Sequence, residues 1–445
     1  MLNIVKEVSE GKAKARVSLA DLQRQMPELE EVAEELAEAT AGINTVEIVT
    51  PANAKAEQEL WMTMADDGKF IDPEFEYDLE LLAEVTDKQL TIKRLLKKLL
   101  NMQVVTDEET LVWKMTIQRA EDALKSISLA ESIYQADDRG SLRNVLAKYG
   151  QPDRELVTRA WDLAGELQEK RSLGKAEAEL TSEQQALLNE KKCDAAEIQR
   201  WFQRALELNG IAGMWPVVID EKARAINVQN RSASGRRIVI PSDREASAMK
   251  VLELIGHEIE CHARDNANGT VMLHNLGGGT LKTDCEILSE GHAKLSDIEF
   301  ARKYQGKILP APKPWYVLAM SWAKSGMAFS KVAGRLYDLM LSCGIKPETA
   351  LKTTWTTTYR VFRGICDCTN PYGYAFTKDV SYLIGHMMAS ELEDAGLAYY
   401  LEIGILSPED LVRIASTVRI SPEDIAYPYV DATAQICKEM LAELV

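Results

Sequence analysis

Gly256-His257-Glu258-Ile259-Glu260-Cys261-His262 is the stretch on which the reading of this chain turns. Two of its five histidines stand in it, with a glutamate directly after the first. Two imidazoles on one helical face with an adjacent carboxylate can hold a metal ion and supply a general base, the logic of the familiar zinc-protease signature, in which the histidines are four residues apart. Here they are five apart. On a regular α-helix that separation leaves the side chains about 140° apart, too far to share one ion. A single π-turn, whose wider loop returns residues five apart to one face, or a local loosening of the helix, would restore the pairing.

The flanking sequence gives this helix a setting. Pro216-Val-Val-Ile219, Ala225-Ile-Asn-Val228 and Arg236-Arg-Ile-Val-Ile240 are short β-branched runs with polar breaks between them, and they predict a small antiparallel sheet. Ser242 with Glu245 reads as a capping box opening the motif helix, which is expected to stop at Asn268-Gly269. Thr283 with Glu286 repeats the signal for a second helix ending near Gly306. That helix offers Glu286, Glu290 and His292 as third ligands, with Glu286 and Glu290 four apart on one face. A catalytic zinc site needs three protein ligands and one open position. His274 and His386 read as structural residues, and Gly277-Gly-Gly279 as a flexible connection between the two helices.

Working outward, residues 19–208 read as one helix after another. Thr50-Pro51 looks like an N-cap with proline at the first helical position, and Thr106 with Glu109 like a capping box. Ile92-Lys-Arg-Leu-Leu-Lys-Lys-Leu-Leu100 repeats apolar residues at three and four, with a solvated charged face. Beyond Trp315 the helical pattern resumes, with starts at Pro347, Ser407-Pro408 and Ser421-Pro422. The expected division is a helical extension over 1–45, a helical region over 46–210 packing on a catalytic core over 211–390, and a C-terminal helical segment over 391–445. The fold class is α+β and mostly helical.

Composition narrows the partners. The 445 residues carry 52 Lys plus Arg against 69 Asp plus Glu, a net charge of −17, which disfavours nucleic acid and anionic membrane surfaces. No run of apolar residues is long enough to span a bilayer and no secretory signal is visible, so a cytoplasmic location is expected. The seven cysteines have no framework spacing, which fits a reducing compartment.

Four motifs in order, His257-Glu-Ile-Glu-Cys-His262, Glu290-Gly-His-Ala293, Arg360-Val-Phe-Arg-Gly364 and Phe376-Thr-Lys-Asp379, resemble those of the tyrosine carboxypeptidases. That family includes the microtubule-associated tyrosine carboxypeptidases and bacterial relatives named for a QEGLA motif. The likeness is close over 226–383 and loose from residue 51 to the C-terminus. It implies a zincin-like, gluzincin-type core with two metal-bearing helices, one zinc per chain held by His257, His262 and Glu290, and Glu258 activating water. It also implies a peptide or protein C-terminus as substrate. The family's Glu-Gly-Leu-Ala is Glu290-Gly-His292-Ala here, which places a third imidazole two residues from the ligand position, where it would compete as a ligand or support the site.

An exopeptidase must recognise a free α-carboxylate, for which a guanidinium fork is the best match. Arg360, Arg363 and Lys378 are the candidates. Two other readings fit the same residues: a metalloendopeptidase, and a catalytically silent zinc-binding protein of the same fold.

Overall fold

The computed structural model describes residues 3–18, 26–169, 176–221, 223, 226–232, 235–272, 287–308 and 314–444. The chain is mostly helical with small sheets, an α+β architecture. Among the described residues no helix is long and apolar enough to cross a membrane.

The N-terminal half is a succession of helices, many of whose starts are fixed by side-chain capping. Thr106 accepts the Glu109 N–H at 3.2 Å while the Glu109 carboxylate accepts the N–H groups of Thr106 and Val105, opening the long helix Asp107–Tyr134. Gln89–Leu100 buries Ile92, Leu95 and Leu99 and leaves its lysines on the outer face, as the spacing predicts. Thr50-Pro51 behaves differently from the sequence reading. The Thr50 hydroxyl donates to the Val46 carbonyl and closes the short helix Thr45–Ile48. The next helix waits until Ala54, because Asn53 is spent bridging the Glu74 carbonyl and the Glu76 N–H.

Three strands form the sheet beside the motif: β1 (Val217–Asp220), β2 (Asn227–Ser232) and β3 (Gly235–Pro241). The strands fall where expected, but the sheet is mixed rather than antiparallel. Its order is β1-β3-β2, with β1 parallel to β3 and β2 antiparallel to it. Apolarity decides the order: Ile238, Val239 and Ile240 are fully buried, so β3 takes the centre, whereas the polar sequence of β2 suits an edge.

The motif helix starts later than Ser242. Ala246–Ser247 pairs antiparallel with Lys192–Cys193, which holds the chain extended, and Ser247 then caps the helix by accepting the Lys250 N–H. It also runs past Asn268-Gly269 to Met272. The buried Asn268 side chain is engaged with the Tyr427 backbone, donating to its carbonyl at 3.1 Å and accepting its N–H at 2.7 Å, so tertiary contact overrides the stop signal. Ser421-Pro422 opens only a single 3-10 turn, Pro422–Asp424, and the last helix is Ala432–Leu444. The start of that helix is held by the motif itself: the buried Glu260 carboxylate accepts the N–H groups of Ala432 and Thr433 and the Thr433 hydroxyl.

Buried side chains gather in two clusters. One joins the N-terminal helices to the segment from Trp315 to Ile425. The other joins the sheet, the motif helix and the C-terminal helix. Ile287–Gln305 belongs to both, with Leu288 in the first and Phe300 and Tyr304 in the second. Glu290 therefore sits where the two cores meet.

Candidate metal centre

Residues Ile255–Ala263 form a π-helix within the otherwise α-helical stretch 248–272. Its wider turn puts His257 and His262 on one side, with ring centroids 5.0 Å apart and planes at 80°. Each ring is held from behind through Nδ1: His257 bonds Asp297 at 3.1 Å, and His262 bonds the Ser289 hydroxyl at 2.7 Å. Nε2 is the ring atom left on both to ligate a metal.

Glu290 comes from the first turn of Ile287–Gln305, and ligand atoms of His257, His262 and Glu290 lie within 4.8 Å of one another. Two imidazoles and one carboxylate at that spacing suit a divalent ion with an open position. Burial alone would raise the Asp297 carboxyl, but the bond and charge of His257, together with Lys294, hold it down at about 2. Burial likewise disfavours the charged His257 ring, and Asp297 outweighs it and raises the imidazole. An ionised carboxylate on Nδ1 makes His257 a better ligand at Nε2. Asp297→Asn is accordingly expected to weaken zinc binding about 10- to 100-fold, read by competition with a chromophoric chelator, with little change in secondary structure.

Glu290 is placed by a helix crossing. Ile287–Gln305 and Ser381–Asp394 touch through backbone, because Gly291 faces Gly385 with no room for a Cβ on either. Lys294 and Asp297, four and seven residues after Glu290, continue the same face, and Lys294 donates to Asp297 at 2.6 Å. Glu258 is half-buried and stands outside the trio. His292 also stands outside it. Its Nδ1 bonds the buried Asp265 at 2.9 Å, and it lines a separate cavity of about 540 Å³ with Arg264, Glu402 and Tyr429. His386 is half-buried, and burial, aided by the Arg159 charge, lowers its pKa. Glu286, His274, Gly277-Gly-Gly279 and the Thr283 capping signal lie outside the described residues.

Beside Glu290 lies a polar cluster built around Arg360. Its Nη2 donates to Asp379 at 2.7 Å and to the Tyr382 hydroxyl at 3.1 Å, and Nη1 donates to the Tyr316 hydroxyl at 3.1 Å. The guanidinium lies over both tyrosine rings. Arg360 lies in the last turn of the helix Pro347–Phe362 and Arg363 caps it in extended conformation; both turn to Asp379, but Arg363 is only 4% exposed, 3.7 Å from Asp379 and over the Phe376 ring. Its place is behind Asp379. Lys378 is half-buried in the turn Thr377–Val380, and its charge reaches Tyr382. Burial and the Glu290 carboxylate push the Tyr382 phenol up to about 12, so it keeps its proton at neutral pH.

Asp297, Ser289, Tyr316 and Tyr382 are the residues that motif reading passed over. A signal existed for Asp297 in its helical spacing from Glu290. The two tyrosines gave none, since nothing local joins residue 316 to 382.

The sequence model of the microtubule-associated tyrosine carboxypeptidase family matches residues 65–398. No curated protein matches the chain. Among solved structures, Pyrococcus furiosus carboxypeptidase (Apo-Mg) aligns over 94% of this chain and 99% of its own, at 13% identity and a TM-score of 0.32, a likeness too low to bear on the fold.

Proposed function

The chain belongs to the microtubule-associated tyrosine carboxypeptidase family, and from that premise we propose that it is a zinc carboxypeptidase hydrolysing the last peptide bond of a peptide or protein, on a zincin-like core. The observation that carries the reading is the meeting of His257, His262 and Glu290 within 4.8 Å, the two histidines on the helix that also bears Glu258 and the glutamate on Ile287–Gln305. In this assignment the three side chains hold the ion, Asp297 and Ser289 orient the two imidazoles, and Glu258 is the general base. A bound zinc supplies Lewis acidity and lowers the pKa of a coordinated water towards ~7.

Glu258 takes the proton from the attacking water as its oxygen bonds to the scissile carbonyl carbon. It passes that proton to the amine as the C–N bond breaks, so the two products leave with balanced charge. Specificity for a chain end falls to the basic cluster. Arg360 and Lys378 supply the positive field for a terminal carboxylate, while Arg363 fixes Asp379 and through it the Arg360 fork.

The test is mass spectrometry of paired peptides, identical except for a free or amidated C-terminus and ending in varied residues, incubated with zinc-loaded protein. Loss of one terminal residue from the free acids alone is expected. Internal cleavage of both members would make the protein an endopeptidase, and bound zinc without cleavage of either would leave a binding protein.

A further inference from the structure

Among the described residues the Tyr382 hydroxyl accepts one hydrogen bond and donates none. A guanidinium only donates, so in the 3.1 Å contact from Arg360 the phenol oxygen is the acceptor, and the hydroxyl hydrogen is left over. Among the described residues no group accepts it. The same Arg360 Nη2 is anchored at 2.7 Å on the buried Asp379, which fixes where the phenol oxygen can sit. Charge-assisted donation into that oxygen also polarises the O–H and makes it a stronger donor.

The phenol lies on the metal side of the cluster. Glu290 is the charged group that acts on it most strongly. Lys294, one helical turn beyond Glu290, lies over its ring at 5.8 Å and bonds Asp297 behind His257. Tyr382 also stands three residues before Gly385, at the crossing that brings the two helices into backbone contact. A hydroxyl held by Arg360 and set against the helix that bears Glu290 is thus presented to whatever occupies the site.

Resting on the carboxypeptidase reading, we propose that Tyr382 donates its hydroxyl hydrogen to the scissile carbonyl oxygen as negative charge gathers there, and that Arg360 positions it. Donors pre-aimed at developing charge contribute most in the transition state and little to ground-state binding. Tyr316 accepts from Arg360 in the same way but shows no such tie to Glu290, which makes it the internal comparison.

The experiment compares Tyr382→Phe with Tyr316→Phe, both shape-conserving. Tyr382→Phe is expected to lower kcat about 100-fold or more, with KM within about twofold and zinc content unchanged. Calorimetry supplies a readout apart from turnover: a phosphonate peptide, whose tetrahedral anion mimics the charged oxygen, should bind the variant about 100-fold more weakly, while the free-acid product peptide binds as before. Unchanged kcat, or equal weakening of phosphonate and product, would overturn the assignment for Tyr382 while leaving the carboxypeptidase reading in place. Wild-type protein that loads zinc but neither cleaves free-acid peptides nor binds the phosphonate would remove both.

Discussion

Glu258→Gln is expected to lower kcat about 1,000-fold, within the range that a positioned general base contributes, while zinc content and the melting temperature stay near those of the wild type. The amide keeps the size and shape of the carboxylate and can still accept a hydrogen bond, but it cannot take a proton. Glu258 is not one of the three groups that converge within 4.8 Å, so its replacement should spare metal binding. Zinc analysis and steady-state kinetics on the same preparation check this. Retained turnover with zinc bound would remove Glu258 from the chemistry, and zinc loss would make it a ligand instead.

The second large effect is structural. At Gly385 a Cβ would meet the Ile287 carbonyl, and at Gly291 it would meet the backbone of Gly385, so neither helix can yield without moving the other. Gly385→Ala is expected to cost about 3 kcal/mol or more in unfolding free energy, the upper end of overpacking penalties. The same separation shifts Glu290 away from His257 and His262 and weakens zinc binding. Gly165→Ala is the control: that glycine lies within the helix Arg154–Glu169 with open space around its Cα, where alanine should stabilise by about 0.5–1 kcal/mol. Urea unfolding of the two variants should therefore move in opposite directions.

The ease of reading this chain depended on how local each signal is. Capping at Thr106 and the apolar stripe of Gln89–Leu100 involve neighbours in sequence, and both stand as read. The five-residue spacing of His257 and His262 called for a wider turn, and a π-helix occupies that stretch. Signals failed where distant chain competed for the same groups. Asn268 pairs with the backbone at 427 instead of ending its helix, residues 246–247 are drawn into a strand by 192–193, and Asn53 braces 74–76. The sheet's mixed order was hidden for the same reason, since insertion of β3 between β1 and β2 depends on which strand the core buries.

The polar cluster illustrates the same limit at the site. Motif order singled out Arg360, Arg363 and Lys378 as equivalents, and burial separates them. Arg363 is enclosed behind Asp379, Arg360 is shared among Asp379 and two tyrosines, and Lys378 is half-buried in the following turn. His292, two residues after Glu290, turns instead to Asp265, because residues two apart on a helix face different ways.

The most direct measurement is anomalous diffraction at the zinc edge from crystals of the zinc-loaded protein. One strong peak per chain is expected, about 2.0–2.2 Å from a nitrogen of His257, a nitrogen of His262 and a carboxylate oxygen of Glu290. A peak at His292 and Asp265, or none near the π-helix, would contradict this assignment.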